Sequence, residues 1–143
     1  MISREAATEA LFCKLQECQK FLTARRTFVS WSDCSPAQQP ALYLRIVSNE
    51  YIQQKGIPTK LIISYEAAIY AHNPNPTDEA QSIQNELLDL IDAALEPDAP
   101  DFVNCTLGGT VSHCWIDGSI ETDQGMLGQQ TVALIPIKIL LNN

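Results

Sequence analysis

The sequence predicts an α+β domain: a mainly antiparallel sheet of about four to five strands with two helices packed on one face. Three observations carry this expectation. Two segments repeat apolar residues at three- and four-residue steps, β-rich runs flank Gly/Pro turns, and the elements follow the order α-β-ββ-α-ββ. At 143 residues and 45% hydrophobic content, the span 1–143 reads as one domain, able to bury roughly two-thirds of its unfolded surface.

The first helix is expected from about Ser3 to Thr23, with Ala7, Leu11, Leu15, Cys18 and Leu22 on one face and Ser3 as N-cap. Glu5 suits the positive end of its dipole; Lys14, Lys20 and Arg25 suit the other. Thr27–Trp31 is a short strand candidate, and Ser32 to Pro40 a polar loop stopped by two prolines. Ala41–Ile52 and Thr59–His72 flank the Gln53–Pro58 turn, which carries Gly56 and Pro58, as a hairpin, with Leu61, Ile63, Tyr65, Ala67 and Ile69 alternating toward a core.

Asn73 to Pro76 ends that strand, and Thr77 caps a second helix with core face Ile83, Leu87, Leu90, Ile91 and Ala94. Glu96 to Asp101 is an acidic loop stiffened by proline. A second long hairpin is expected with arms Thr110–Thr122 and Gln129–Leu141 and its tip at 123–128. Pro136 has no amide hydrogen, which predicts a final strand at a sheet edge or one carrying a bulge.

Charge is unevenly spread. Residues 1–60 hold eight bases and five acids, a balance of +3; residues 61–143 hold one base, Lys138, and twelve acids, a balance of −11; together they make the net −8. Such segregation serves recognition of an oppositely charged surface, on a neighbour or on another copy. The acidic total argues against a nucleic-acid binder, which needs clustered Lys and Arg. No apolar run approaches the roughly 18 residues of a membrane helix. The N-terminus lacks the apolar stretch of a signal peptide, and five cysteines without framework spacing fit reduced thiols, so a cytoplasmic protein is expected.

No nucleophile–base–orienter set is visible. His72 and His113 stand alone, and His113 and Cys114, adjacent on a strand, point to opposite faces. Cys13, Cys18, Cys105 and Cys114 follow no metal-binding spacing and read as buried or free thiols. Leu107-Gly108-Gly109 lacks a phosphate-loop pattern and reads as a turn or bulge. Glu86, Asp89, Asp92 and Glu96 step along one side of the second helix, either as a solvated face or as a docking strip for the basic first helix of another copy. Met126 and Leu127 lie between two glycines at the hairpin tip, placed for contact with a partner or for folding back on the domain.

Taken in order, several stretches resemble the tail terminator (tail-completion) proteins of long-tailed bacteriophages. They are Ala10–Phe12, Trp31–Asp33, Gln39–Leu44, Gly56–Lys60, Asn85–Pro97, Thr106–Gly118 and Val132–Ile139. The resemblance implies a hexameric ring that binds the end of the tail tube, stops its polymerisation and offers a surface to the head. No catalytic residue, cofactor or metal belongs to that picture. The implied partners are other copies of the chain, the tail tube protein and the head–tail connector protein, with DNA passing through the ring without specific binding. The implied location is the virion tail, assembled in the host cytoplasm. Ring contacts are then expected between Lys14, Lys20, Arg25 and Arg26 and the acids Asp89, Asp92 and Glu96, and tube or connector contact at Met126 and Leu127. The alternatives are another head–tail connector or tail-tube-like structural protein, or a small cytoplasmic ligand-binding domain or enzyme using His113, Cys114 or the acidic strip.

Overall fold

The computed structural model describes residues 3–72, 80–124 and 130–142. Helix α1 (Arg4–Leu15) leads to strands β1 (Thr23–Arg25), β2 (Ala41–Ile52) and β3 (Lys60–His72), then α2 (Ala80–Ala94), β4 (His113–Ile116), β5 (Glu121–Gln124) and β6 (Gln130–Asn142). The fold class is as expected: α+β, with two α-helices and a sheet of six strands among the described residues, slightly more strands than anticipated. The sheet order is β1-β2-β3-β6-β4, with β5 also on β6. Among the described residues only β1 and β2 run parallel.

The centre of the sheet is the ladder between β3 and β6, in register from Lys60↔Asn142 to His72↔Gln130. Alternation sends Ile63, Tyr65, Ala67, Ile69 and Ala71 of β3 to the same face as Ala133, Ile135, Ile137, Ile139 and Leu141 of β6. Both helices close this face: Ala7, Leu11 and Leu15 from α1 and Leu87 and Ile91 from α2 join one buried cluster with it. Thr8 is buried too, its hydroxyl 2.7 Å from the Tyr65 hydroxyl. The opposite face is covered at one end, where Cys34 and Val29 pack on Tyr43, Ala68, Tyr70 and Val132. Tyr70 donates to the Val29 carbonyl (2.6 Å) and Tyr43 to the Cys34 sulfur (3.6 Å).

Four expectations are corrected. Helix α1 stops at Leu15 rather than Thr23. Its end tightens through Gln16 N–H to Cys13 O and Glu17 N–H to Lys14 O, and Gln19 turns at φ 55°. The chain then re-enters the sheet at Thr23, so Cys18 and Leu22 leave the helical stripe and Leu22 is exposed. Second, Thr27–Trp31 is no strand. Thr23–Arg25 takes the place beside β2, and Val29 is used to cover the second face.

Third, the first arm of the C-terminal hairpin is broken into β4 and β5, with Gly118 (φ 94°) in the interruption. Fourth, β6 is an interior strand, paired on both sides. Pro136 is tolerated there because its neighbour is interrupted. Asp117 N–H donates to Pro136 O (2.9 Å), so the proline nitrogen, on the same side of the strand as its carbonyl, faces the gap between β4 and β5. The β2–β3 hairpin holds as expected; Ile57 N–H bonds Gln54 O and Gly56 supplies φ 82°. The Thr77 cap lies outside the described residues.

Leu11 is fully buried beneath α1. Leu11→Ala is therefore expected to cost about 2–5 kcal/mol, read as a lower denaturation midpoint at unchanged m-value. Burial pushes the Tyr43 and Tyr70 phenols from 10.0 up to about 12. Both folded values lie above the unfolded one, so this contribution is complete below pH 10 and is lost as the pH rises toward 12. The Tyr43→Phe/Tyr70→Phe variant should show a shallower fall of stability over that window in denaturant titrations.

Candidate assembly surfaces

The topology turns the charge split into a spatial one. Residues 23–52 form one flank of the sheet, and residues 113–124 form the other. Helix α1 lies on the β2 side, tied to it by Arg4 on Asn49 (3.1 Å) and on the Tyr51 hydroxyl. Helix α2 lies on the β6 side, where the buried Gln84 amide donates to Val132 O (2.9 Å). Gln84 was not legible as a core residue, because a polar side chain breaks the apolar count and only its position three before Leu87 marks it.

Within the first flank many cations are already paired. Lys14 meets Glu17 (3.1 Å), Arg26 meets Glu5 (2.5 Å) and Glu9 (3.3 Å), and Arg45 meets Glu66 (2.9 Å). The guanidinium of Arg26 holds the Glu5 carboxyl below its usual range. Lys20 and Arg25 have no ion-pair partner among the described residues. Neither is on α1, as the early end of the helix requires: Lys20 follows it and Arg25 closes β1. A uniformly basic first helix therefore does not exist; α1 carries Glu5 and Glu9 beside Arg4 and Lys14.

On the second flank, Glu86, Asp89, Asp92 and Glu96 are exposed, opposite the buried Leu87 and Ile91, and have no ion-pair partner among the described residues. Lys138, the lone base, is taken by Asp117 (3.1 Å). The four predicted cations and three predicted acids are thus not brought together within one chain. Met126 and Leu127 lie outside the described residues.

Sequence reasoning missed a further feature, the loop from Asp98 to Gly109. Asp98 accepts from Thr106 N–H (2.7 Å), the Thr106 hydroxyl (2.8 Å) and Gly108 N–H (3.1 Å). Burial raises its pKa, but these bonds outweigh that and hold the carboxyl below its ordinary range. Asp101 similarly accepts from Val103 and Asn104 N–H, and the tightened loop presents Phe102 and Val103 at 69% and 70% exposure. An apolar pair between Asp101 and Asn104 in a proline-stiffened loop was the available signal.

The chemistry-bearing residues converge on little. Cys105 and Cys114 are each 1% exposed; the neighbouring Cys114 thiol lowers the Cys105 pKa, and the Cys105 thiol together with burial pushes Cys114 up. His113 does not reach either thiol: its Nδ1 accepts from the Cys105 N–H (3.1 Å), and its ring stacks on Trp115 at 5.1 Å. Among the described residues no group of three His, Cys, Asp or Glu side chains is placed to hold a metal ion. No described helix is long and apolar enough to cross a membrane.

Surface hollows follow the sheet instead. One of ≈ 390 Å³ opens where the chain leaves the sheet after β1, lined by Thr8, Arg26–Phe28, Leu44–Ile46 and Tyr65. Another of ≈ 230 Å³ lies on the uncovered face, lined by Ile52, Gln54, Ile57, Pro58, Lys60, Ile62, Trp115 and Leu140. No protein-family model matches the chain, and no curated protein matches it.

Asp98→Ala strands three donors and is expected to cost about 1–3 kcal/mol in thermal or chemical denaturation. Because the folded carboxyl is depressed, its contribution is present above the ordinary value of 3.8 and disappears as the pH falls through the folded one. The stability gap between Asp98→Asn and the parent chain should accordingly close in acid.

Proposed function

We propose that the chain is a structural assembly protein that closes into a ring, caps the end of a bacteriophage tail tube and offers a surface for head joining, without catalysing a reaction. The assembly part of this reading rests on one observation: among the described residues, Glu86, Asp89 and Asp92 of α2 at one flank and Lys20 and Arg25 at the other have no ion-pair partner. A neighbouring copy would bring these opposite charges together. A contact between two different patches of the same chain is heterologous, and heterologous contacts close into rings when the rotation permits. The tail-tube part rests on the ordered resemblance from Trp31–Asp33 to Val132–Ile139.

In this reading Lys20 and Arg25 contribute most to contacts with Asp89, Asp92 and Glu96 of the next copy. Lys14 and Arg26 contribute less, since their internal partners already screen them. Met126 and Leu127 remain the proposed tube or connector contacts. The remaining acidic charge lines a channel whose field repels phosphates, so DNA passes without adhering. The protein then resides in the virion tail after assembly in the host cytoplasm.

Two measurements test this. Purified chain added to polymerising tail tube subunits should halt elongation, and native mass spectrometry should find a closed six-fold species alone or on tube ends. Unaltered tube growth overturns the reading. Lys20→Glu/Arg25→Glu should weaken ring formation at least roughly tenfold at physiological salt. Adding an equal amount of an Asp89→Lys/Asp92→Lys chain should restore part of it.

A further inference from the structure

Among the described residues the two most exposed large apolar side chains are adjacent. Phe102 and Val103 stand 69% and 70% exposed in the loop that follows α2. Their turn is held in place from both sides. Phe102 sits at φ 56° with its N–H on Asp98 O (2.9 Å), and Asp98 N–H bonds Asn104 O (3.0 Å). The Asp101 carboxylate accepts from Val103 N–H (2.9 Å) and Asn104 N–H (3.1 Å). An apolar pair projecting from an ordered turn loses little further freedom on docking, which is the form of an interface anchor.

The chain also carries a hollow that fits such an anchor. Ile52, Ile57, Pro58, Ile62, Trp115 and Leu140 line ≈ 230 Å³ on the sheet face that the helices leave uncovered. A cavity of about 150 Å³ already holds a benzene ring, so a phenylalanine side chain has room here. No residue of the loop 98–104 lines it, so the loop does not fill the hollow of its own chain.

The charges around the two features are opposite. Lys60 lines the hollow and Lys55 stands in the turn that walls it; neither has an ion-pair partner among the described residues. Glu50, opposite Ile62 in the ladder, offsets one of them and leaves this rim positive. On the other side Glu96, Asp98 and Asp101 precede the apolar pair, and no Lys or Arg occurs between residues 61 and 137. Complementary rims of this kind fix the register of an apolar contact.

Both features lie at one end of the sheet. Cys105, just past the loop, donates its N–H to His113 Nδ1 (3.1 Å), and His113 stands opposite Leu140, which lines the hollow. The loop issues on the β4 flank, while Ile52, Ile57 and Pro58 wall the hollow on the β2 side. A rotation about an axis along the strands therefore carries the loop of one copy toward the hollow of the next without a rise, as a closed ring requires.

We infer that Phe102 and Val103 of one copy dock in the hollow between the β2–β3 turn and β4 of a second copy, the acidic loop meeting Lys55 and Lys60. This rests on the ring reading above and supplies an apolar anchor for its contact.

Phe102 and Ile57 are exposed in the single chain, so replacing either spares the core, and thermal melts verify that each variant is folded. Phe102→Ala should weaken self-association at least roughly tenfold in native mass spectrometry. Ile57→Asp should do the same from the other side; should it fail to fold, Lys60→Glu takes its place. Val47→Ala, which shortens an exposed apolar side chain outside both surfaces, should assemble as the parent does. Mixed together, folded Phe102→Ala and Ile57→Asp chains retain one intact hollow and one intact loop, and should give a 1:1 dimer and nothing larger. Folded Phe102→Ala at the parent's oligomer mass and affinity, or a mixture that stays monomeric, overturns the docking and leaves the ring reading standing. Phe102→Ala that assembles as the parent but no longer halts tube growth also overturns it, and assigns the loop to the tube protein instead. A parent chain monomeric at every concentration overturns it too, and the tube-growth assay then decides the ring reading by itself.

Discussion

The ladder between β3 and β6 is the constraint on which the remaining structure depends. These two strands come from distant parts of the sequence, yet they pair over their full thirteen residues each. Their register decides which side chains face the helices. A slip of one residue would turn Ile135, Ile137 and Ile139 to the other face, where Leu134 and Lys138 now lie. Because Leu11, Leu15, Leu87 and Ile91 need that apolar floor, the ladder also fixes where both helices rest. Closing such a long loop is entropically costly, and burial of one continuous face across both strands offsets it.

The same ladder separates the two ends of the chain. With β3 and β6 in the middle, β2 can lie only outside β3, and β4 and β5 only outside β6. A charge difference between the two halves of the sequence thereby becomes a difference between two flanks of one sheet. Internal ion pairs then remove much of the local repulsion, as Arg26 does with Glu5 and Glu9. Exposed pairs of this kind are screened by solvent, so they tune the surface more than they hold the fold. The exposed carboxylates along α2 and the cations Lys20 and Arg25 have no such partner among the described residues.

Much of this was legible in the sequence where one physical signal dominated. The alternation from Leu61 to Ile69 and the Gly56 turn each had a single reading, and the structure follows them; of the expected α2 stripe, Ile83, Leu87 and Ile91 reach the core, while Leu88 and Leu95 pack there in place of Leu90 and Ala94. The readings failed where tertiary context outweighed local pattern. Cys18 and Leu22 continue the helical spacing of α1, but the chain must turn at Gln19 to bring Thr23 beside β2. Pro136 signals an edge strand only if its neighbour is continuous; the neighbour's interruption is set by Gly118 and cannot be seen from the proline. The same holds for the candidate surfaces. The acids of α2 were readable from spacing, whereas the partners of Lys14 and Arg26 depend on packing that no spacing encodes.

The outer edge of β2 is guarded without being closed. Arg45 and Glu50 place opposite charges along it, and the bulge at Val47 breaks its flatness. Both features oppose indiscriminate pairing, the usual hazard of an exposed edge. Neither closes the edge, and β1 covers it only at Ala41 to Tyr43. A three-residue β1 that protected the edge completely would need to run on beside Leu44 and Ile46. Instead the chain turns away at Arg26, and Val29 covers the second face of the sheet. Where the chain departs, Arg26 binds Glu5 and Glu9 of α1, so the cation is screened at the same turn that leaves the edge uncovered. In this fold an exposed edge and a satisfied arginine are consequences of one turn in the backbone.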